Sequence, residues 1–275
     1  MRTKRRKTQS ERIRRFAAKG LFGPVDKSTT VKWAETDQDF LKSFNLLYER
    51  YLECNYIKEC ESFPFHYNCY NLLEKTKKVI LEKKAGILST VDIVMDNTPL
   101  GLPMDAIYKE ELDALRNEGR RICEVGSLAC SRDANWQNTF MPLFRIVFWH
   151  ARNNGLNDLC IMVNPKHEAF YKSVMVMETL GEEKFYPSVN APAIALRMNL
   201  DHYHETVRNA YQGFPDENSL FNYFFRWEAT ATRNESRMIR SSSISRMDDN
   251  LLSALTIRNQ EVRKTMQKIN QVNYH

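Results

Sequence analysis

One carboxylate inside an apolar run constrains this chain more than any other feature. Residues Ile122–Cys130 read ICEVGSLAC, apolar or small at every position except Glu124. A short run of this character is a buried strand. An unpaired charge inside such a strand costs on the order of several kcal/mol, so Glu124 must be paired or used. Upstream, Pro99, Gly101 and Pro103 break regular structure. Asp105 is placed to cap a helix on which Tyr108, Leu112 and Leu115 share a face, and Gly119 is placed to end it. Arg120 and Arg121 then lead into the strand, where either is within reach of an ion pair with Glu124. The unit from Asp96 to Cys130 therefore reads as loop, short helix and strand.

The remaining elements alternate. Val31–Ala34 reads as a strand, and Thr36 or Asp37 caps a helix carrying Phe40, Phe44, Leu47 and Tyr51 at helical spacing. Thr76–Glu82 and Ala85–Met95 form a hairpin around Lys83, Lys84 and Gly86, the second strand being rich in β-branched residues. A helix with Phe140, Phe144, Val147, Phe148 and Ala151 on one stripe stops at Gly155. Leu159–Val163 is a short strand buried on both faces, closed by Asn164-Pro165. Lys166–Leu180 reads as a helix ended by Gly181, and Phe185–Tyr186 and Ala193–Met198 as two strands. This order predicts an α/β (α+β) fold, a mixed sheet with helices on both faces. After Asp201 the expected elements are helices at Tyr203–Tyr211, Ser219–Trp227 and Asp248–Val272, with Ser236–Met247 as a Ser/Arg-rich linker. Three segments follow: a basic N-terminal arm at 1–28, a catalytic-type domain at 29–200 and a helical extension at 201–275.

Charge separates these segments. Nine Lys/Arg and one Glu give residues 1–20 a net +8 out of +6 for the whole chain, which leaves −2 for the rest. A basic arm on a near-neutral body suits an acidic protein, an anionic membrane surface or nucleic acid, or is simply solvated. The body offers neither an Arg/Lys-rich recognition helix nor the aromatic–basic strands of an RNA-binding sheet, which counts against nucleic acid. No apolar run reaches the roughly 18 residues of a membrane span. The basic N-terminus lacks the apolar segment of a secretory signal. Six cysteines occur without a CxxC pair, and Cys54, Cys60 and Cys69 fit no zinc spacing. The expectation is a cytoplasmic chain with reduced thiols and no metal, whose arm is able to touch the inner face of the membrane.

The run LGLPMDAIYKEELDALRNEGRRICEVGSLAC resembles the central motif of the FeeM-type N-acyl amino acid synthases. Those are relatives of the acyl-homoserine-lactone autoinducer synthases within the GNAT acyltransferase superfamily. A second block, DLCIMVNPKHEAFYKSVMVMETLG, is similar to the same family's later strand and helix, and the likeness spans Val31 to Asn199. It implies a GNAT fold whose parallel strands splay, between Glu124–Cys130 and Leu159–Asn164, to admit a pantetheine thioester.

Acyl transfer to an amine requires a proton acceptor for the amine, polarisation of the carbonyl and a proton for the departing thiolate. The resemblance puts Glu124 in the first role and Tyr171 in the third, with an ion pair and a core aromatic as the respective structural alternatives. It puts Leu128, Ala129 and Cys130 along the pantetheine. Asn164 either holds the pantetheine or substrate backbone or forms a turn, and His167, placed with it at the substrate or pantetheine, caps or orients. Cys130 as a nucleophile lacks an evident His–Asp set. CoA-dependent relatives carry a glycine-rich phosphate loop where this chain has the glycine-free Ser131–Pro142. That disfavours acyl-CoA and points to acyl-phosphopantetheine borne by an acidic acyl carrier protein, with no permanently bound cofactor. Arg132, Arg145, Arg152 and the arm are the expected docking contacts. The implied reaction is transfer of a fatty acyl group from the carrier to an amino acid or related small amine. The alternatives are an autoinducer-type lactone synthase, a CoA-dependent N-acetyltransferase, and a non-enzymatic acyl-binding or nucleic-acid-binding protein.

Overall fold

Reciprocal caps start the first two helices. A computed structural model describes residues 8–272 except 24, 25, 61, 97–99, 230 and 241–246. Residues 1–7 of the arm, Pro24, Pro99 and residues 241–246 of the Ser/Arg-rich stretch lie outside the described residues. Thr8 and Glu11 form a capping box on α1 (Gln9–Ala17), and Thr36 and Asp39 form another on α2 (Asp37–Glu53). Strands β1 (Thr30–Trp33), β2 (Lys77–Lys83) and β3 (Gly86–Met95) follow, then α3 (Asp105–Asn117), β4 (Ile122–Cys130), α4 (Trp136–Asn153) and β5 (Asp158–Val163). The rest is α5 (Pro165–Ser173), β6 (Glu178–Tyr186), β7 (Ala191–Asn199), α6 (Tyr203–Ala210), α7 (Leu220–Phe225), α8 (Arg233–Arg240), α9 (Asp249–Arg258) and α10 (Gln260–Val272).

The seven strands form one sheet in the order β1-β2-β3-β4-β5-β7-β6, in which β4–β5 is the parallel pair and every other pair is antiparallel. Strand residues alternate between two apolar layers. Val79, Val91, Cys123 and Ile161 face α4 and α5, whereas Ile80, Val94, Ile122 and Cys160 face the side that holds α2 and α3.

The structure differs from the sequence reading at α5, at the start of α3 and in the C-terminal extension. Helix α5 ends at Ser173, because β6 from Glu178 pairs with β7, and Val176 turns the chain at φ +53. Gly181 therefore lies in a strand rather than at a helix stop. The Tyr108 ring packs so tightly there that a Cβ would come within 2.6 Å of it. Asp105 is the first residue of α3 but not its cap: it accepts the Leu102 N–H at 2.6 Å and binds Arg116. The stretch read as a linker from Ser236 is helical to Arg240, and the last helix is two, parted at Asn259.

Both ends of the chain pack onto the body. Ile13 of α1 is fully buried, and α1 lies on α5. The Phe148 and Phe224 rings stack at 4.5 Å between α4 and α7, and the Tyr67 hydroxyl donates to Leu255 O at 2.8 Å to hold α9 on the other face.

Candidate active site

Strands β4 and β5 run side by side for only three residue pairs, Ile122 to Glu124 against Asp158 to Cys160. Beyond Glu124, β4 stays with β3 and β5 stays with β7, so their facing edges part. A bulge bends β4 away: Ser127, at φ +50, and Leu128 both lie opposite the single residue Val91. On the other side, Pro165 begins α5 directly after β5, and Asn164 caps it by accepting the Lys166 N–H at 3.2 Å.

The parted edges open into a cavity of about 860 Å³. Its inner wall is apolar, built from Val91, Val125, Phe140, Phe144, Ile161 and Phe170. Residues Gly126–Cys130 and Ile161–Asn164 border it, as do Tyr51 of α2 and Cys54 just after that helix. Its charged lining is one-sided. Arg12, Arg15, Arg50 and Lys166 border it, and no Asp or Glu does among the described residues. Of these four, Arg50 is paired with Glu53.

Leu128, Ala129, Cys130, Asn164, His167 and Tyr171 all line this one cavity. The Cys130 thiol lies 3.1 Å from Thr139 Oγ1, and burial raises its pKa, so it is held as a thiol rather than a nucleophilic thiolate. Burial likewise pushes the Tyr171 phenol well up, which keeps it protonated at neutral pH.

Glu124 sits differently. It faces the α3 side of the sheet, 3% exposed, and accepts the Met104 N–H at 2.7 Å. No Lys or Arg lies within 4.0 Å of it among the described residues. Arg120 instead grips Asp158 and Asp201, so the ion pair considered from sequence does not form. Burial pushes the Glu124 carboxyl up to about 8; the Met104 N–H opposes this and neighbouring Asp105 adds to it. Glu124 does not border the cavity directly. Gly126 does, and a Cβ on Gly126 would lie 4.0 Å from Glu124 Oε1. The carboxylate therefore lies close behind a residue that borders the cavity.

Two of the residues expected at a docking surface behave unlike each other. Arg132 is exposed and pairs with Glu53 at 2.6 Å. Arg145 is a correction: it is 1% exposed, 3.4 Å from Glu235 and 3.6 Å over the Tyr223 ring. It ties α4 to the C-terminal extension and is not available to a partner. Arg152 is exposed, with one guanidinium N–H donating to Leu200 O at 3.2 Å.

Sequence reasoning missed a second buried charge. Lys78 and Asp92 are cross-strand partners at 2.5 Å, and Asn71 donates to Asp92 at 2.6 Å and to Ser127 Oγ at 3.3 Å. This network anchors the bulge that opens the cavity. The signal was present, since Asp92 interrupts the apolar ILSTVDIVM just as Glu124 interrupts its own strand. The arm was expected among the docking contacts, but its packing on α5 was not foreseen, because nothing local says where a basic helix docks.

A family model for the N-acyl amino acid synthase FeeM matches residues 42–199, more than half of the chain. Among solved structures, that of FeeM, an N-acyl amino acid synthase from uncultured soil microbes, is 26% identical with a TM-score of 0.57. The match covers 65% of this chain and 93% of that one. TofI, solved in a ternary complex with an inhibitor and MTA, is 13% identical with a TM-score of 0.51, covering 66% and 95% of the two chains. At that identity the likeness is one of fold. No curated protein matches the chain.

Proposed function

The chain belongs to the N-acyl amino acid synthase FeeM family of N-acyltransferases, and from that premise we propose that it moves a fatty acyl group from an acyl carrier protein thioester to the amine of an amino acid or related small molecule. The observation that carries this reading is the cavity, apolar within and, among the described residues, lined by cations and no carboxylate, running along the parted edges of β4 and β5. An acyl chain suits the aromatic interior. The open backbone N–H groups of the parted strands suit the thioester carbonyl, whose oxygen gains charge as the amine attacks.

In the reaction the amine nitrogen forms a bond to the thioester carbon, the C–S bond breaks, and one proton passes in net from nitrogen to sulfur. Glu124 is assigned the first half of that transfer. Near its pKa of about 8 a carboxyl is poised to take a proton from an ammonium or amine, here beside Gly126 of the cavity lining. Tyr171, held neutral by burial, is assigned the second half, protonating the thiolate. Leu128, Ala129, Cys130 and Asn164 flank the pantetheine, and His167 orients at the helix start. Residues 29–200 carry this chemistry, with 1–28 and 201–275 appended. The glycine-free Ser131–Pro142 supports the carrier over CoA, since it lacks a backbone cradle for a pyrophosphate. The exposed Arg132 suits an acidic carrier.

The test is a comparison of initial rates with matched acyl-carrier and acyl-CoA donors, with products identified by mass spectrometry of lipid extracts from expressing cells. A carrier preference and an N-acylated amine lost with Glu124→Gln are expected. Equal rates with both donors would return the donor to CoA.

A further inference from the structure

The mouth of the cavity is built partly from a helix that precedes the family-matched residues. On α1, Arg12, Arg15 and Phe16 share one face, as residues three and four apart do. That face is fixed in place. Phe16 packs edge-on against Phe170 at 5.0 Å and Trp136 at 6.0 Å, Ile13 is fully buried, and Arg12 donates to Ala169 O at 3.4 Å and Ser173 Oγ at 3.3 Å. Lys166, in the first turn of α5, lines the same cavity. Arg15 and Lys166 have no acidic partner among the described residues, and no carboxylate lines the space they border. Cations held by a docked helix and by α5 against an apolar chamber make the potential in that cavity positive.

We infer that Arg12, Arg15 and Lys166 form a phosphate subsite that holds the phosphate ester of a pantetheine arm at the cavity mouth while the acyl chain occupies the apolar interior. The inference rests on the reading of the donor as a pantetheine thioester. It supplies what Ser131–Pro142 lacks: side-chain charge from α1 and α5 takes the place of a backbone cradle. Guanidinium groups match phosphate oxygens in geometry as well as charge.

The test uses the full chain and two inert thioether ligands, S-octyl-4′-phosphopantetheine and S-octyl-pantetheine, titrated by calorimetry. Wild type is expected to bind the phosphorylated ligand at least about tenfold more tightly, a difference of about 1.4 kcal/mol. The Arg12→Ala/Arg15→Ala/Lys166→Ala triple variant is expected to bind both ligands alike, and Arg15→Lys/Lys166→Arg to keep part of the preference. Arg14→Ala removes the same charge from a position stacked on Phe214 instead, and is expected to keep the preference. Equal binding of the two ligands by wild type, or a preference that survives the triple variant, overturns the subsite. S-octyl-CoA separates the two sources of the phosphate: binding no tighter than the phosphopantetheine ligand fits a carrier-borne arm. A wild type that shows the phosphate preference yet turns over neither carrier nor CoA thioester keeps the subsite and removes the acyl-transfer reading.

Discussion

The two ends of the short parallel seam between β4 and β5 each hold a buried carboxylate, and they are treated in opposite ways. At the seam's start, Asp158 is fully buried and gripped by Arg120 and, at 2.6 Å, by Arg197. At its end, where the strands part, Glu124 is nearly as inaccessible but, among the described residues, has no cation within 4.0 Å and accepts the Met104 N–H. A buried charge with partners holds structure together. A buried carboxyl without them gives up its charge and becomes available for proton transfer. One seam thus contains its own control.

The largest expected effect breaks the Glu124 end. Glu124→Gln keeps shape and the acceptor for Met104 N–H while removing basicity, so kcat/KM should fall about 10²–10⁴-fold. The same variant has a stability signature. The folded carboxyl titrates at about 8 against an ordinary 4.5, so its contribution is complete below about 4.5 and is lost as pH rises through about 8. Wild type should lose up to about 1.4 kcal/mol per pH unit within that window. Glu124→Gln should lack the slope in urea midpoints taken at several pH values. Wild-type rates in the variant would make Glu124 structural, and an unchanged slope would mean that another group titrates.

The next effect breaks the paired end. Asp158→Asn leaves Arg120 and Arg197 facing a neutral amide. Removing one partner of a buried pair costs about 3–5 kcal/mol, here reduced to about 2–4 because both arginines retain some solvent. Urea unfolding should show this loss while kcat/KM per folded molecule stays near wild type. A variant with full stability and lost activity would reverse the roles of the two carboxylates.

The contrast was half legible in the sequence. Glu124 stood out because its strand is otherwise apolar, and its helix and hairpin neighbours followed from caps, turns and periodicity within a few residues. Cys130 and Asn164 were recognisable as strand ends because a loop and a proline follow them. Partners distant in the chain were not recognisable. Arg145 read as a surface cation because Glu235, which accounts for its burial, comes ninety positions later and in a different helix. Residues 174–180 read as helix because their pairing partner, β7, lies beyond them. Asp158 was passed over as the residue before a strand, although its two arginines make it the better-anchored carboxylate. Nor does local pattern place α1 against α5, which is why Arg12 and Arg15 were assigned to a basic arm and not to the cavity.

The smallest expected effect sharpens the comparison at the boundary between Glu124 and the cavity. Gly126 has ordinary backbone angles, and a methyl there would meet Glu124 Oε1 at 4.0 Å, which is normal contact. Gly126→Ala should therefore fold without strain. Its methyl would lie 4.0 Å from the carboxylate and desolvate it further. Further desolvation raises a carboxyl's pKa, so the ionisation in the kcat/KM profile should move upward from about 8 by up to about one pH unit. The rate at neutral pH should then fall less than about tenfold, since one unit corresponds to about 1.4 kcal/mol. At high pH, where Glu124 is ionised in both proteins, the gap should narrow, whereas a purely steric block would keep it constant. An unmoved profile would show that the proton reaches Glu124 by another route or that Glu124 is not the ionising group. Asp158, already held between two arginines away from the opening, should be indifferent to the change, so the unfolding free energy below pH 5 should match wild type.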